Sequence, residues 1–143
     1  MAARMARLRT LEWPDAFWGT PAHGVTFTGT AGTLTSLAAI DLALDPYDPG
    51  RVNGHRLSRQ RVEALYRELA ARPLSERRQV RGLEPARADV IVAGALVCLG
   101  AMDGLDFPDL TVSDGGLREG ILLDLLSRRE ARLPSDGPVN HDR

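Results

Sequence analysis

With 43% hydrophobic and 26% charged residues, the 143-residue chain has enough apolar side chains for one domain with a buried core and is too short for two ordinary domains. A formal net charge of −1 excludes the dense cationic surface of a sequence-independent nucleic-acid binder, and 18 basic residues that are all arginine exclude a Walker-type phosphate lysine and a Schiff-base lysine. A single cysteine, Cys98, excludes an internal disulfide, and the longest uncharged apolar stretch, Val90 to Met102, has 13 residues against the roughly 20 that span a bilayer.

Residues 1–22 lack a sustained period and combine Arg4, Arg7 and Arg9 with Trp13, Phe17 and Trp18, which reads as an N-terminal arm whose aromatics cover exposed core. Glu12 and Asp15 argue against a transit segment, and no apolar stretch with a cleavage site follows the arginines, so the expected location is the cytoplasm. The organised domain is expected over residues 23–130. Val25 to Thr28 is β-branched and aromatic and predicts a strand that runs into the glycine loop Gly29-Thr30-Ala31-Gly32-Thr33. Leu34 to Leu44 is apolar on nearly every side except Asp41 and predicts a helix buried by its neighbours, stopped by Asp45-Pro46-Tyr47-Asp48-Pro49-Gly50.

The next helix carries clear punctuation. Ser58 is an N-cap, Leu57 and Val62 can form a hydrophobic staple, Val62, Leu65, Tyr66, Leu69 and Ala70 share a face, and Arg59, Arg61, Arg67 and Arg72 are expected to face water. Pro85 can open a further helix at its first position, predicted to run to about Met102. Asp109 to Ser113 predicts a strand, Asp114-Gly115-Gly116 a second glycine turn, and Leu117 to about Arg129 a helix. Residues 131–143, with Pro134, Gly137 and Pro138, predict a disordered tail. Two strands make no independent sheet of ordinary size, so helices this apolar need something more to pack against, and the chain is expected to be incomplete.

A strand that stops at Gly29-Thr30-Ala31-Gly32-Thr33 and turns into a helix brings free backbone N–H groups and a helix dipole to one point, which is how a backbone holds phosphate. Such glycine turns are also common structural devices, so the loop alone is unspecific. Ser113-Asp114-Gly115-Gly116 repeats the strand-to-helix geometry, and Arg118 on the first helical turn is within reach of a phosphate, although an Arg beside Glu119 also suits a solvated surface pair. His23, His55 and His141 show no metal-site spacing, so no metal ligand and no catalytic residue is nominated. Cys98 reads as a small core residue and Asp89 as a carboxylate favouring a helix dipole, whereas Asp41 on a mostly buried helix needs a partner, expected to be an arginine.

Three ordered stretches carry a resemblance: Gly29 to Ile40, Tyr47 to Ser58, and Arg87-Ala88-Asp89-Val90-Ile91-Val92-Ala93-Gly94-Ala95 together with Thr111-Val112-Ser113-Asp114-Gly115-Gly116-Leu117-Arg118-Glu119-Gly120. Over about residues 24–127 the chain resembles the Ppx/GppA phosphatases, the exopolyphosphatase and guanosine pentaphosphate phosphohydrolase family. The resemblance implies an α/β fold of the actin, Hsp70 and sugar-kinase (ribonuclease H-like) type, here a partial second lobe, helix-rich with few strands. It implies a divalent ion, usually Mg²⁺, and a glutamate that acts on the attacking water to remove a terminal phosphoryl group from polyphosphate or pppGpp. It implies Gly29, Thr30, Ala31, Gly32 and Thr33 as ligand-contacting or site-shaping positions, with Ser113, Asp114 and Arg118 supporting them.

The family's Asp-x-Gly-Ser-Asn-Ser and Asp-x-Gly-Gly-Gly-Ser phosphate loops do not occur in this sequence, its catalytic glutamate belongs to the first lobe, and Asn53 stands where the family often has His. The expectation is therefore a phosphatase part that hydrolyses phosphoanhydrides only when a complementing lobe is supplied. Two other readings stay open: a non-catalytic polyphosphate- or nucleotide-binding or regulatory module, and a truncated frame whose exposed apolar helices drive homo-oligomer formation.

Overall fold

A computed structural model describes residues 24–130; the arm expected over 1–22 and the tail expected over 131–143 lie outside the described residues. Three short strands form one sheet in the order β1, β3, β2, with β1 spanning Thr28–Gly29, β2 Arg56–Ser58 and β3 Asp109–Val112. β1 lies parallel to β3, pairing Thr28 with Thr111 and Gly29 with Val112, and β2 lies antiparallel, pairing Leu57 with Leu110. The helices are α1 (Gly32–Asp41), α2 (Pro49–Val52), α3 (Arg59–Ala71), α4 (Leu74–Arg77), α5 (Ile91–Leu105) and α6 (Leu117–Glu130), with a 3₁₀ turn at Pro85–Arg87. This is a helix-rich α/β fold.

The first strand is shorter than expected. In the parallel register Phe27 O still accepts from the Thr111 amide at 2.8 Å, whereas the next amide of that series, Asp109, gives no bond to Val25 O. Helix α1 begins two residues earlier than the apolar pattern, at Gly32, and stops before Pro46 because Ala43 turns left-handed at φ 49° and its amide closes on Ile40 O at 3.0 Å. β2 goes unsignalled in the sequence, since three residues are too few to show alternation and only Leu57 among them is buried.

The expected helix from Pro85 to Met102 is broken in two. Pro85 opens a 3₁₀ turn, and the carbonyl of Ala88, which a continuous helix would turn toward a later amide, instead accepts from Arg77 Nη1 at 2.9 Å. Helix α5 then starts at Ile91 and runs past Met102 to Leu105, where Asp106 adopts a left-handed conformation. Helix α3 follows its punctuation: Ser58 Oγ accepts from the Arg61 amide at 3.1 Å, and Leu57 and Val62 are both fully buried.

The core sits between the sheet, α1, α3 and α5, where Leu37, Leu57, Leu65, Ile91, Met102 and Leu110 are buried. Each such side chain contributes about 1.5–3 kcal/mol relative to exposure. α1 and α5 approach closely because Gly94 has no side chain: a Cβ there would lie 2.5 Å from Thr33 Oγ1. Cys98 is one of these core residues, and burial pushes its thiol up to about 11, so it stays protonated. Ala70 is exposed, and three of the arginines expected to face water are ion-paired: Arg59 with Asp103 and Glu63, Arg61 with Asp41 and Glu68, and Arg67 with Glu63. Asp41 takes two partners, since Oδ1 accepts from Arg61 Nε and Oδ2 lies 2.7 Å from His55 Nε2.

Helix α6 differs from the rest. Leu117, Ile121, Leu122, Leu123, Leu125 and Leu126 are all more than half exposed. No described helix is long and apolar enough to cross a membrane.

Candidate functional site

Parallel pairing of β1 and β3 puts the carboxyl ends of both strands side by side, the position where α/β sheets place their ligands. The two glycine turns therefore leave the sheet together. The Ser113 amide donates to Gly29 O at 2.8 Å, and Thr30 Oγ1 donates to Gly115 O at 2.8 Å, so the turns are fastened to each other. Ala31, at φ 75°, reverses the chain between strand and helix and leaves the first amides of α1 at the head of the turn, where the helix supplies them no acceptor.

An arginine covers that point. The guanidinium of Arg87 lies over Gly32, so close that a Cβ on Gly32 would be 1.6 Å from Nη1. Its Nε donates to Glu84 Oε2 at 2.8 Å, which orients the fork. Beside it opens a cleft of about 810 Å³ lined by Thr35, Tyr47, Arg78, Arg81, Arg87 and Asp114 among others. Arg78, Arg81 and Arg87 share its lining with Asp45, Glu84 and Asp114, so the cleft carries both signs of charge, and Arg87 is the cation nearest the glycine turn.

The second turn is held from the other side. Tyr47 Oη donates to Asp114 Oδ1 at 2.5 Å, and the Asp114 amide donates to Asn53 Oδ1 at 3.2 Å. Burial and the bond to the Asp114 carboxylate push the Tyr47 hydroxyl up to about 12, so at neutral pH it is a donor. Asn53 thus does a job for which its amide oxygen suffices.

Of the residues nominated from sequence, Gly29, Thr30, Ala31 and Gly32 form the first turn beside Arg87, while the Thr33 side chain packs on Gly94. Ser113 Oγ donates to Gly115 O at 3.3 Å within the second turn, and Asp114 lines the cleft. Arg118 is exposed on the first turn of α6 and does not line the cleft; its neighbour Glu119 turns back to accept from the Gly116 amide at 2.8 Å. Backbone hydrogen bonds, its own and that of Gly116, hold the Glu119 carboxyl below its usual range. Arg87 and Tyr47 were not nominated, although both stand in the stretches that carry the resemblance. What no local pattern signals is their convergence on the glycine turns.

Among the described residues no three His, Cys, Asp or Glu side chains gather as a metal site. Glu84 and Asp114, the carboxylates nearest Arg87 and Tyr47, are already engaged by them. The described residues therefore do not fit a bound Mg²⁺, and no step is derived through one.

Comparison with known proteins agrees with this geometry. The sequence model of the Ppx/GppA phosphatase family matches residues 6–129. Exopolyphosphatase 2 of Mycobacterium tuberculosis is 31% identical over 106 residues, 70% of this chain and 33% of its own length, so the chain spans about a third of the curated relatives it matches. A crystal structure of the Aquifex aeolicus Ppx/GppA family member superposes with a TM-score of 0.70 at 35% identity, over 73% of this chain and 35% of that one. The type II variant of the Aquifex aeolicus phosphatase superposes with a TM-score of 0.72 at 31% identity, over 86% of this chain and 37% of that one. With the match running through both glycine turns, the helices between them and the arginine above them, this chain belongs to the Ppx/GppA phosphatase family.

Proposed function

We propose that the chain forms one wall of a phosphate-binding cleft and takes part in removing the terminal phosphoryl group of inorganic polyphosphate or pppGpp when a complementing lobe closes the other wall. The observation that carries this reading is the fastening of the two glycine turns beneath Arg87, which sets backbone amides, a helix N-terminus and a guanidinium around one point. Gly29, Thr30, Ala31 and Gly32 shape the floor in this reading, with Ser113 and Asp114 behind them and Arg87 as the principal cation.

Phosphoryl transfer depends on positioning and charge stabilisation from both sides of the transferring group, and the described residues offer one side. Mg²⁺ and the glutamate that acts on the attacking water belong, in this proposal, to the complementing lobe. The bare leucines of α6 are consistent with such a lobe, because a helix with this much uncovered apolar surface is a docking element. A cytoplasmic setting, where a lone thiol stays reduced, fits the same reading.

Phosphate release from polyphosphate and from pppGpp in the presence of Mg²⁺ is the test. The chain alone is expected to bind without turnover. Robust turnover by the chain alone would overturn the need for a second lobe.

A further inference from the structure

Arg87 stands on a 3₁₀ turn of three residues, an element with too few internal hydrogen bonds to fix its own place. What fixes it is another arginine. Arg77 Nε donates to Leu69 O at 2.8 Å and Nη2 to Arg72 O at 2.9 Å, both at the carboxyl end of α3, while Nη1 donates to Ala88 O at 2.9 Å, the residue that follows Arg87. Helix α3 is itself anchored in the core by Val62, Leu65 and Leu69, and Ala88 is fully buried. One planar fork thus ties the base of Arg87 to a rigid helix, while Glu84 steadies its tip.

We propose that Arg77 is a positioning residue of the anion site: it sets where the Arg87 guanidinium stands over Gly32 without touching the ligand itself. The proposal rests on the reading of the cleft as a phosphate site. Its basis is the geometry of the fork. Five N–H groups spread in a plane reach three carbonyls on two elements, whereas a lysine ammonium radiates its donors from one point and cannot hold both elements at once.

The experiment uses the full chain and two readouts. The first is the side-chain Nε–H resonance of Arg87, assigned by its disappearance in Arg87→Lys; the second is the calorimetric affinity for inorganic tripolyphosphate. Arg77→Lys, at a temperature where circular dichroism shows it folded, is expected to shift and broaden the Arg87 resonance. It should also weaken tripolyphosphate about five- to tenfold, and by less than about twofold in an Arg87→Gln background, since a positioning residue has nothing left to position. Leu99→Ala, a destabilising change of a buried side chain on α5 away from the clamp, should leave both readouts alone.

An unchanged Arg87 resonance in Arg77→Lys overturns the proposal whether or not tripolyphosphate binds, and so does an equal loss of affinity in both backgrounds. Failure of the wild-type chain to bind tripolyphosphate, or wild-type affinity in Arg87→Gln, contradicts the reading of the cleft instead; the resonance then still decides the role of Arg77. If Arg77→Lys does not fold, hydrogen exchange at the Arg77 Nε–H of the wild-type chain decides, slowing on addition of tripolyphosphate if clamp and site are coupled and unchanged if they are not.

Discussion

Thr30 Oγ1 donates to the carbonyl of Gly115 at 2.8 Å, fastening two glycine turns that stand 85 residues apart in the chain. The bond is possible because β1 and β3 run parallel and end together, so what looks like two separate turns is one floor. Thr30→Val keeps the shape and removes the donor. Gly115 O then keeps only the longer bond from Ser113 Oγ at 3.3 Å, at a cost of about 0.5–1.5 kcal/mol by urea denaturation. The same variant should weaken tripolyphosphate binding several-fold in calorimetry, since only the bond from the Ser113 amide to Gly29 O then holds the two turns together.

Gly32→Val brings a side chain into the space of the Arg87 guanidinium. The clash is with the far end of a flexible side chain, 1.6 Å from Nη1, so Arg87 swings away and the backbone stays. Thermal melting should show a change within about 1 kcal/mol. Tripolyphosphate affinity should fall at least about tenfold, the range expected when a charge-assisted contact to phosphate is lost.

Gly82 and Gly120 make opposite predictions from the same substitution. At Gly82 φ is +84° and a Cβ would lie 2.3 Å from the carbonyl oxygen of Ala39, a backbone atom that cannot step aside. Gly82→Ala should cost about 3 kcal/mol or more in chemical denaturation. At Gly120, inside α6, an added Cβ meets nothing within 4 Å, so Gly120→Ala should raise α6 helicity by circular dichroism and stabilise by about 0.5–1 kcal/mol.

The pairing of Asp41 with Arg61 and His55 predicts a dependence on pH. Burial alone would raise the Asp41 pKa, but hydrogen bonds from Arg61 and His55 outweigh it and hold the carboxyl below the usual range. A depressed folded-state pKa contributes stability that is present above the unfolded value of about 3.9 and is lost as pH falls through the folded value. Asp41→Asn should therefore lower stability at pH 7 by about 1–2 kcal/mol, allowing for the partial exposure of Arg61, and should flatten the loss of stability below about pH 4. Urea midpoints measured from pH 7 down to the acid transition check both.

Legibility in the sequence divides along the range of the interactions. Ser58, Leu57 and Val62 announce α3 because a cap and a staple are made within a few residues, and Leu117 to Glu130 is readable for the same reason. The interruption after Pro85 was not readable, because the donor that takes the Ala88 carbonyl, Arg77, arrives from another element. β1 is short because its ladder to β3 ends at Phe27, and no local pattern shows where a parallel pairing stops. The same limit applies at the site: the glycine turns could be nominated from local pattern, but Arg87 over Gly32 and Tyr47 against Asp114 are products of tertiary packing.

The central claim is that the fastened turns and Arg87 make a phosphate-binding wall, and titration of inorganic tripolyphosphate into the wild-type chain and Arg87→Gln tests it most directly. The account predicts binding that weakens as salt is raised and an affinity at least about tenfold lower in Arg87→Gln. No binding to the wild-type chain, or equal binding by the two proteins, would contradict it.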